Sequence, residues 1–242
     1  MVRTVLYAVY FGLVILLSQF LVLLPYYILR LFGLKKIAKT FIKWGAIATA
    51  RLVIMGIGAK VRVHGLENLP MDRQRICLVS NHQGIFDVPL IIGYLPLQIA
   101  FIAKVELKKV PLLNWWLFAI GAILLDRKSR RSAIEAIRAG VERIKAGQVL
   151  AIFPEGTRSR SNRIGSFKPG SLKLAYRSGS VIVPVTIKNC YRLLEEKGRI
   201  QPGPVDLYVH EAVDTAGLDE EGQKGLAEQL KTTIAGPLMD ES

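Results

Sequence analysis

The stretch Asn81-His82-Gln83-Gly84-Ile85-Phe86-Asp87 sets a histidine and an aspartate five residues apart, directly after the apolar run Ile76-Cys77-Leu78-Val79. Side chains at i and i+5 do not share a helix face, so the two can meet only if the backbone turns between them. Gly84 supplies such a turn, and a helix can begin from Phe86 onward. In that arrangement Asp87 accepts a hydrogen bond from one imidazole nitrogen of His82, leaving the other free to take a proton from a hydroxyl. No G-x-S-x-G elbow occurs in the chain, so the nucleophile has to come from the substrate, and an alcohol attacking an activated acyl group fits. Two plainer readings compete. In a chain with three histidines and roughly one aspartate per twenty residues, a chance pair is unsurprising; Asp87 can also serve as a simple helix N-cap. Context singles out His82, since neither His64 nor His210 has an aspartate five residues on.

A second constellation follows another apolar run. Val149-Leu150-Ala151-Ile152-Phe153 reads as a buried strand that enters Pro154-Glu155-Gly156-Thr157-Arg158-Ser159, where proline and glycine force a tight turn. Such a turn offers backbone N–H groups, the Thr157 hydroxyl and the Arg158 guanidinium at the carboxyl end of a strand, where α/β sheets bind ligands. Arg158 can grip a phosphate bidentately, and Arg160, Arg163 and Lys168 raise the local positive potential. Taken alone, the segment reads better as an ordinary basic surface loop.

The order NHQGIFD, GAILLDR, FPEGTRS, VIVPVTI resembles the four-block signature of the glycerolipid acyltransferases with the HxxxxD motif. The resemblance spans about residues 60 to 190, including Ala103-Lys104-Val105-Glu106-Leu107 and Phe167-Lys168-Pro169-Gly170. It implies that His82 is the catalytic base and Asp87 its orienter. Arg127 and Arg158 would bind the acceptor's phosphate, Glu155 and Gly156 would shape the acceptor site, and Pro184 would line an acyl or acceptor pocket. Lys104 matches a lysine that the family places close to the active site, although the residue alone reads equally as a solvated strand-end charge. The implied reaction moves a fatty acyl group from acyl-CoA or acyl-carrier protein to the 2-hydroxyl of a 1-acyl-glycerol 3-phosphate; glycerol 3-phosphate or another lysophospholipid is the alternative acceptor. A non-catalytic peripheral membrane protein that recruits anionic lipids is the rival reading, against which the intact His82/Asp87 pair argues. The thioester donor is a substrate, and no cofactor or metal is expected. Backbone N–H groups near Gly156, or Lys104, are candidate donors to the tetrahedral oxyanion.

Composition fits a membrane setting: 51% of residues are hydrophobic and the formal net charge is +14, so anionic surfaces are favoured partners. The charges flank apolar segments and form no nucleic-acid module, which excludes RNA and DNA as partners. From Thr4 to Leu29 no residue is charged, a run longer than the ~20 helical residues that cross a hydrocarbon core. No A-x-A-like cleavage site follows it, so retention is expected. Pro25 can end or kink that helix. Leu34 to Ile57 mixes Lys35, Lys36, Lys39, Lys43 and Arg51 with Ile37, Phe41, Trp44 and Ile47, as an interfacial amphipathic helix does. The family resemblance favours two N-terminal helices dipping into one leaflet; a single span is the competing geometry. Arg3 is the one side-chain cation before the run, whereas Arg30 and four lysines follow it closely, which puts the catalytic domain on the cytoplasmic face. Residues 1–58 therefore read as membrane-anchoring helices and 59–242 as the catalytic domain.

Beyond residue 58, apolar runs alternate with helical patterns. This predicts an α/β domain, a mixed and largely parallel sheet flanked by helices, with strands near 59–64, 75–80, 98–103, 121–126, 149–153, 181–187 and 205–210. Ser132 and Glu135 have capping-box spacing, Ile134, Ile137, Val141 and Ile144 form an apolar stripe, and Gly147 stops that helix. Cys77 reads as core packing and Cys190 as a loop residue, with no C-x-x-C spacing to suggest a disulfide framework or zinc site. Gly56-Ile57-Gly58 follows a helical segment and lacks a third glycine, so it is no dinucleotide loop.

Overall fold

A computed structural model describes residues 1–70, 72, 74–168 and 170–239 of the chain. Pro169 of the Phe167–Gly170 stretch and residues 240–242 at the end of the expected catalytic domain lie outside the described residues.

The uncharged N-terminal run forms α1 (Val2–Ser18), one π-helical turn (Gln19–Leu23) and α2 (Leu24–Leu31). Pro25 sits in the first turn of α2. Its ring cannot donate to the preceding turn, and the π-turn absorbs the mismatch, so the helix slips register rather than ending. After a turn at Gly33, α3 (Lys35–Ile57) runs back and stops at Gly58, whose φ of 81° closes the helix in the left-handed region. Both helices of this hairpin are long and apolar enough to cross a membrane.

The sheet then begins with β1 (Ala59–His64) and β2 (Ile76–Ser80), followed by α4 (Asp87–Tyr94) and β3 (Ile99–Lys104). Next come α5 (Leu113–Ala119), β4 (Ile123–Leu125), α6 (Arg130–Lys145) and β5 (Val149–Ile152). The chain finishes with α7 (Lys173–Ser178), β6 (Val181–Lys188), β7 (Gly203–Val209), β8 (Val213–Asp214) and α8 (Glu220–Met239). The strands order as β1-β7-β6-β2-β5-β3-β4, with β8 also on β6. All neighbours are parallel except β6 with β7 and β6 with β8. The expected mixed, largely parallel sheet is therefore present, and each expected strand has its counterpart. The two-residue β8 is the addition.

Strand periodicity assigns the two faces. Ile76 and Leu78 of β2 pack with Val53, Ile54 and Ile57 of α3 and Leu90 and Ile91 of α4. Cys77 and Val79 point the other way, toward Ala136 and Ile144 of α6 and Leu226, Leu230 and Ile234 of α8. Pro184 lies within β6 between Ile182, which pairs with β8, and Val185, which pairs with the last residue of β7. A residue without an N–H fits that gap.

The helix expected after residue 130 needs one correction. Its N-cap is Ser129, whose Oγ accepts from the Ser132 N–H at 3.1 Å. Ser132 Oγ instead accepts from the Asp126 N–H at 3.0 Å, and Glu135 pairs with Arg131 at 2.9 Å, so the Ser132/Glu135 capping box does not form. The buried face follows suit: Ala136, Gly140, Val141 and Ile144 are inside, whereas Ile134 is exposed. Gly147 does stop the helix, with φ at 81°.

Candidate active site

β2 ends at Ser80, and the chain turns through residues 81–86 before α4 begins. His82 Nδ1 and Asp87 Oδ2 are 2.7 Å apart. The same Oδ2 accepts from the backbone N–H of Gln83 at 2.5 Å and of Gly84 at 2.9 Å. The N-cap reading of Asp87 is thereby replaced: α4 is capped at Phe86 without a side-chain bond, and the Asp87 carboxylate folds back onto the loop. Asp87 is fully buried, whereas His82 keeps 16% of its side chain exposed. A buried carboxylate with three donors is a firm acceptor, so it fixes Nδ1 as the protonated nitrogen and leaves the Nε2 lone pair for chemistry. The imidazole lies flat against Phe153, with ring centroids 4.2 Å apart.

Phe153 leads into the arginine turn, and the two loops are joined along the backbone. Ser159 N–H donates to His82 O at 2.8 Å, and Arg160 N–H donates to Gln83 O at 3.2 Å. Glu155 is turned inward and buried: one oxygen accepts from the His82 N–H at 2.8 Å and the other from the Gly165 N–H at 2.7 Å. It shapes the site as a brace between loops, and burial pushes its carboxyl above the usual range despite those two donors. Gly156 adopts a φ of 68°, so glycine is favoured there by conformation; a Cβ would lie 2.8 Å from the end of the Lys168 side chain, which can swing aside.

Of the expected oxyanion donors, two are already committed. The Gly156 N–H donates to Phe153 O at 3.0 Å, and Lys104 Nζ sits 2.9 Å from Glu106 on the exposed surface. The expected arginines do meet at one turn: Arg127 Nη1 donates to Gly156 O at 2.6 Å, and Arg158 lies two residues further on. Thr157 and Arg158 are exposed. Pro184 is buried in register with Val79, inside the sheet beneath the loop.

Several residues that hold this site carry no local signal. Gln83, fully buried, donates to Asn162 at 2.8 Å and accepts from the Cys190 N–H at 2.9 Å. Asn162 donates to the Asn189 side chain at 2.9 Å. Asn81 exchanges a pair of 2.8 Å bonds with the Ile187 backbone, tying the loop's start to β6. Glu195 is the most consequential: its Oε1 accepts from the Ile85 N–H at 2.7 Å and lies 3.6 Å from Arg158 Nη1. Its side chain is only 7% exposed, its Oε2 has no hydrogen-bond partner among the described residues, and burial raises its pKa. Both cysteines are buried, and burial pushes the Cys77 thiol up to about 12, as core packing requires.

The sheet and this pair of joined loops are those of an acyltransferase: the acyltransferase family model matches residues 60–188, and the chain belongs to that family. Its relatives narrow the comparison. A 1-acyl-sn-glycerol-3-phosphate acyltransferase of Borreliella burgdorferi is 31% identical over 75% of this chain and 72% of its own length. A chloroplastic protein of the same description from Arabidopsis thaliana is 30% identical over 71% of this chain and 49% of its own length. This chain thus spans about half the length of the plant and algal relatives it matches. The crystal structure of the 1-acyl-sn-glycerophosphate acyltransferase PlsC from Thermotoga maritima superposes with a TM-score of 0.82 at 31% identity, covering 100% of this chain and 98% of that one. Together with the apolar hairpin, these relatives make this a membrane-associated protein.

Proposed function

We propose that this chain transfers a fatty acyl group from acyl-CoA or acyl-carrier protein to the 2-hydroxyl of a 1-acyl-glycerol 3-phosphate, giving phosphatidic acid. The observation that carries this reading is the buried Asp87 oxygen with three donors, which holds His82 Nδ1 and leaves Nε2 as a base beside a turn bearing Arg158. His82 Nε2 takes the proton as the hydroxyl oxygen bonds to the thioester carbonyl carbon. The C–S bond then breaks, and the departing sulfur collects that proton. A thiol has a pKa of roughly 8.5, so it leaves readily and no acyl-enzyme is needed. Arg158 and Arg127 hold the acceptor's phosphate. With the Gly156 and Ser159 N–H groups already spent, the N–H groups of Thr157 and Arg158 at the exposed tip of the turn serve as donors for the oxyanion.

The hairpin lies along the domain rather than away from it. Its first turn meets the domain where Ile200 N–H donates to Thr4 Oγ1 at 3.1 Å, and its far end packs Leu23 and Tyr26 against Trp116 and Ile120 near α5. This supports a hairpin embedded in one leaflet, with the excess of cations after α2 keeping the domain on the cytoplasmic face.

Product analysis tests the reaction. Purified chain given lysophosphatidic acid and an acyl thioester should release one thiol per phosphatidic acid formed. Thiol release without acceptor would make it a thioesterase, and preferential acylation of glycerol 3-phosphate would reassign the acceptor.

A further inference from the structure

A cavity lies far from His82. It holds about 590 Å³ between the turn of the N-terminal hairpin and the opposite edge of the sheet. Its wall includes Val149, the first residue of β5, whereas Phe153, under the His82 ring, follows the last. At ~3.3 Å per residue the two ends are separated by ~13 Å of strand.

Arg30, Lys35, Lys39, Lys43 and Arg143 surround the cavity, and among the described residues no Asp or Glu lines it. Among the described residues none of these five cations has an ion-pair partner. Three of the five are held in place. Arg30 bonds the Tyr26 hydroxyl at 3.2 Å, Lys43 lies 5.1 Å from the centre of the Trp44 ring, and Arg143 is tied to the Gly121 carbonyl. Lys35, Lys39 and Lys43 recur every four residues on α3 and so share one face. Five uncompensated cations repel one another unless an anion fills the space between them. The remaining feature is apolar: Leu31, Phe32 and Leu34, which stand in sequence between Arg30 and Lys35, are all exposed. A cationic hollow beside an exposed apolar turn matches a phosphate that carries acyl chains better than one free in solution.

We propose that this cavity binds the phosphate headgroup of an anionic phospholipid, at a site separate from the acceptor site, and thereby fixes the hairpin on the membrane surface. Arginine forks take the phosphate oxygens, the lysines supply point charge, and the acyl chains pass over the apolar turn.

The test is a calorimetric titration of the full-length chain in neutral detergent with dihexanoyl phosphatidylglycerol. Saturable binding is expected, weakened at least about tenfold by the pair Lys39→Gln and Lys43→Gln with an unchanged thermal midpoint. It should be retained in Arg158→Ala, which separates this site from the acceptor site whatever the outcome for acyl transfer. Equal affinity for dihexanoyl phosphatidylcholine would overturn the proposal, as would equal affinity for inorganic phosphate, which would mark a free-phosphate site. An equal loss from Lys108→Gln with Lys109→Gln, on the exposed segment after β3, would reduce the effect to diffuse surface charge and also overturn it.

Discussion

One oxygen organises the site at the level of single residues. Asp87 Oδ2 gathers the imidazole and two backbone N–H groups, so the loop and the tautomer are fixed together. The pair was legible because its members are five residues apart and the glycine between them announces the turn. Glu195 was not, since it reaches the loop from 110 positions down the chain, beyond the segment matched by the family model. Two outcomes follow here. Arg158→Ala should raise KM for lysophosphatidic acid by an amount equivalent to ~1.5 to 3 kcal/mol, the usual worth of a hydrogen bond to a charged group, and Arg158→Lys should recover only part of it; steady-state kinetics in matched micelles would reveal an unchanged KM if the arginine holds no phosphate. Glu195 supplies the second. Burial raises its folded pKa above the unfolded value near 4.3, so the folded state binds the proton more tightly and stability falls as pH rises through that window. Glu195→Gln should flatten the decline of Tm from about pH 4 upward; parallel wild-type and variant curves would mean that the carboxyl titrates normally.

Among the elements, apolar runs bounded by turns located every strand but β8, because buried parallel strands have few ways to be polar. β8 has two residues and leaves no periodic trace. The N-terminus of α6 was misread for a different reason: Ser129 and Ser132 are both capable caps, and which one serves depends on Asp126 claiming the Ser132 hydroxyl through its N–H. Ser129→Ala should therefore destabilise the protein by ~1 kcal/mol, whereas Glu135→Ala, which breaks only an exposed i,i+4 pair, should cost no more than ~0.5 kcal/mol. Urea denaturation of the two variants would reverse that order if the capping box were real.

The whole molecule is less divisible than a boundary at residue 58 implies. Val53, Ile54 and Ile57 of the hairpin belong to the same core as Leu90, Ile91 and Leu78 of the sheet domain, and Ile54 and Ile57 are fully buried. Hydropathy alone cannot reveal this, since an apolar helix face looks the same whether protein or lipid covers it. Removing residues 1–58 should accordingly expose the α4 face and yield an unfolded or aggregating product rather than a free catalytic domain. A soluble truncated protein with a cooperative thermal transition would contradict that packing.

At the same scale, the sheet brings β2 and β5 side by side, so that His82 and the arginine turn emerge together at one end of the sheet. The most direct test of that arrangement is phosphatidic acid formation by full-length His82→Ala, compared with wild type in the same vesicles and at equal membrane-bound protein. Loss of the base should lower turnover by about 10²-fold or more while KM and the thermal midpoint stay close to wild type. Turnover within a few-fold of wild type would contradict the assignment of His82 as the base.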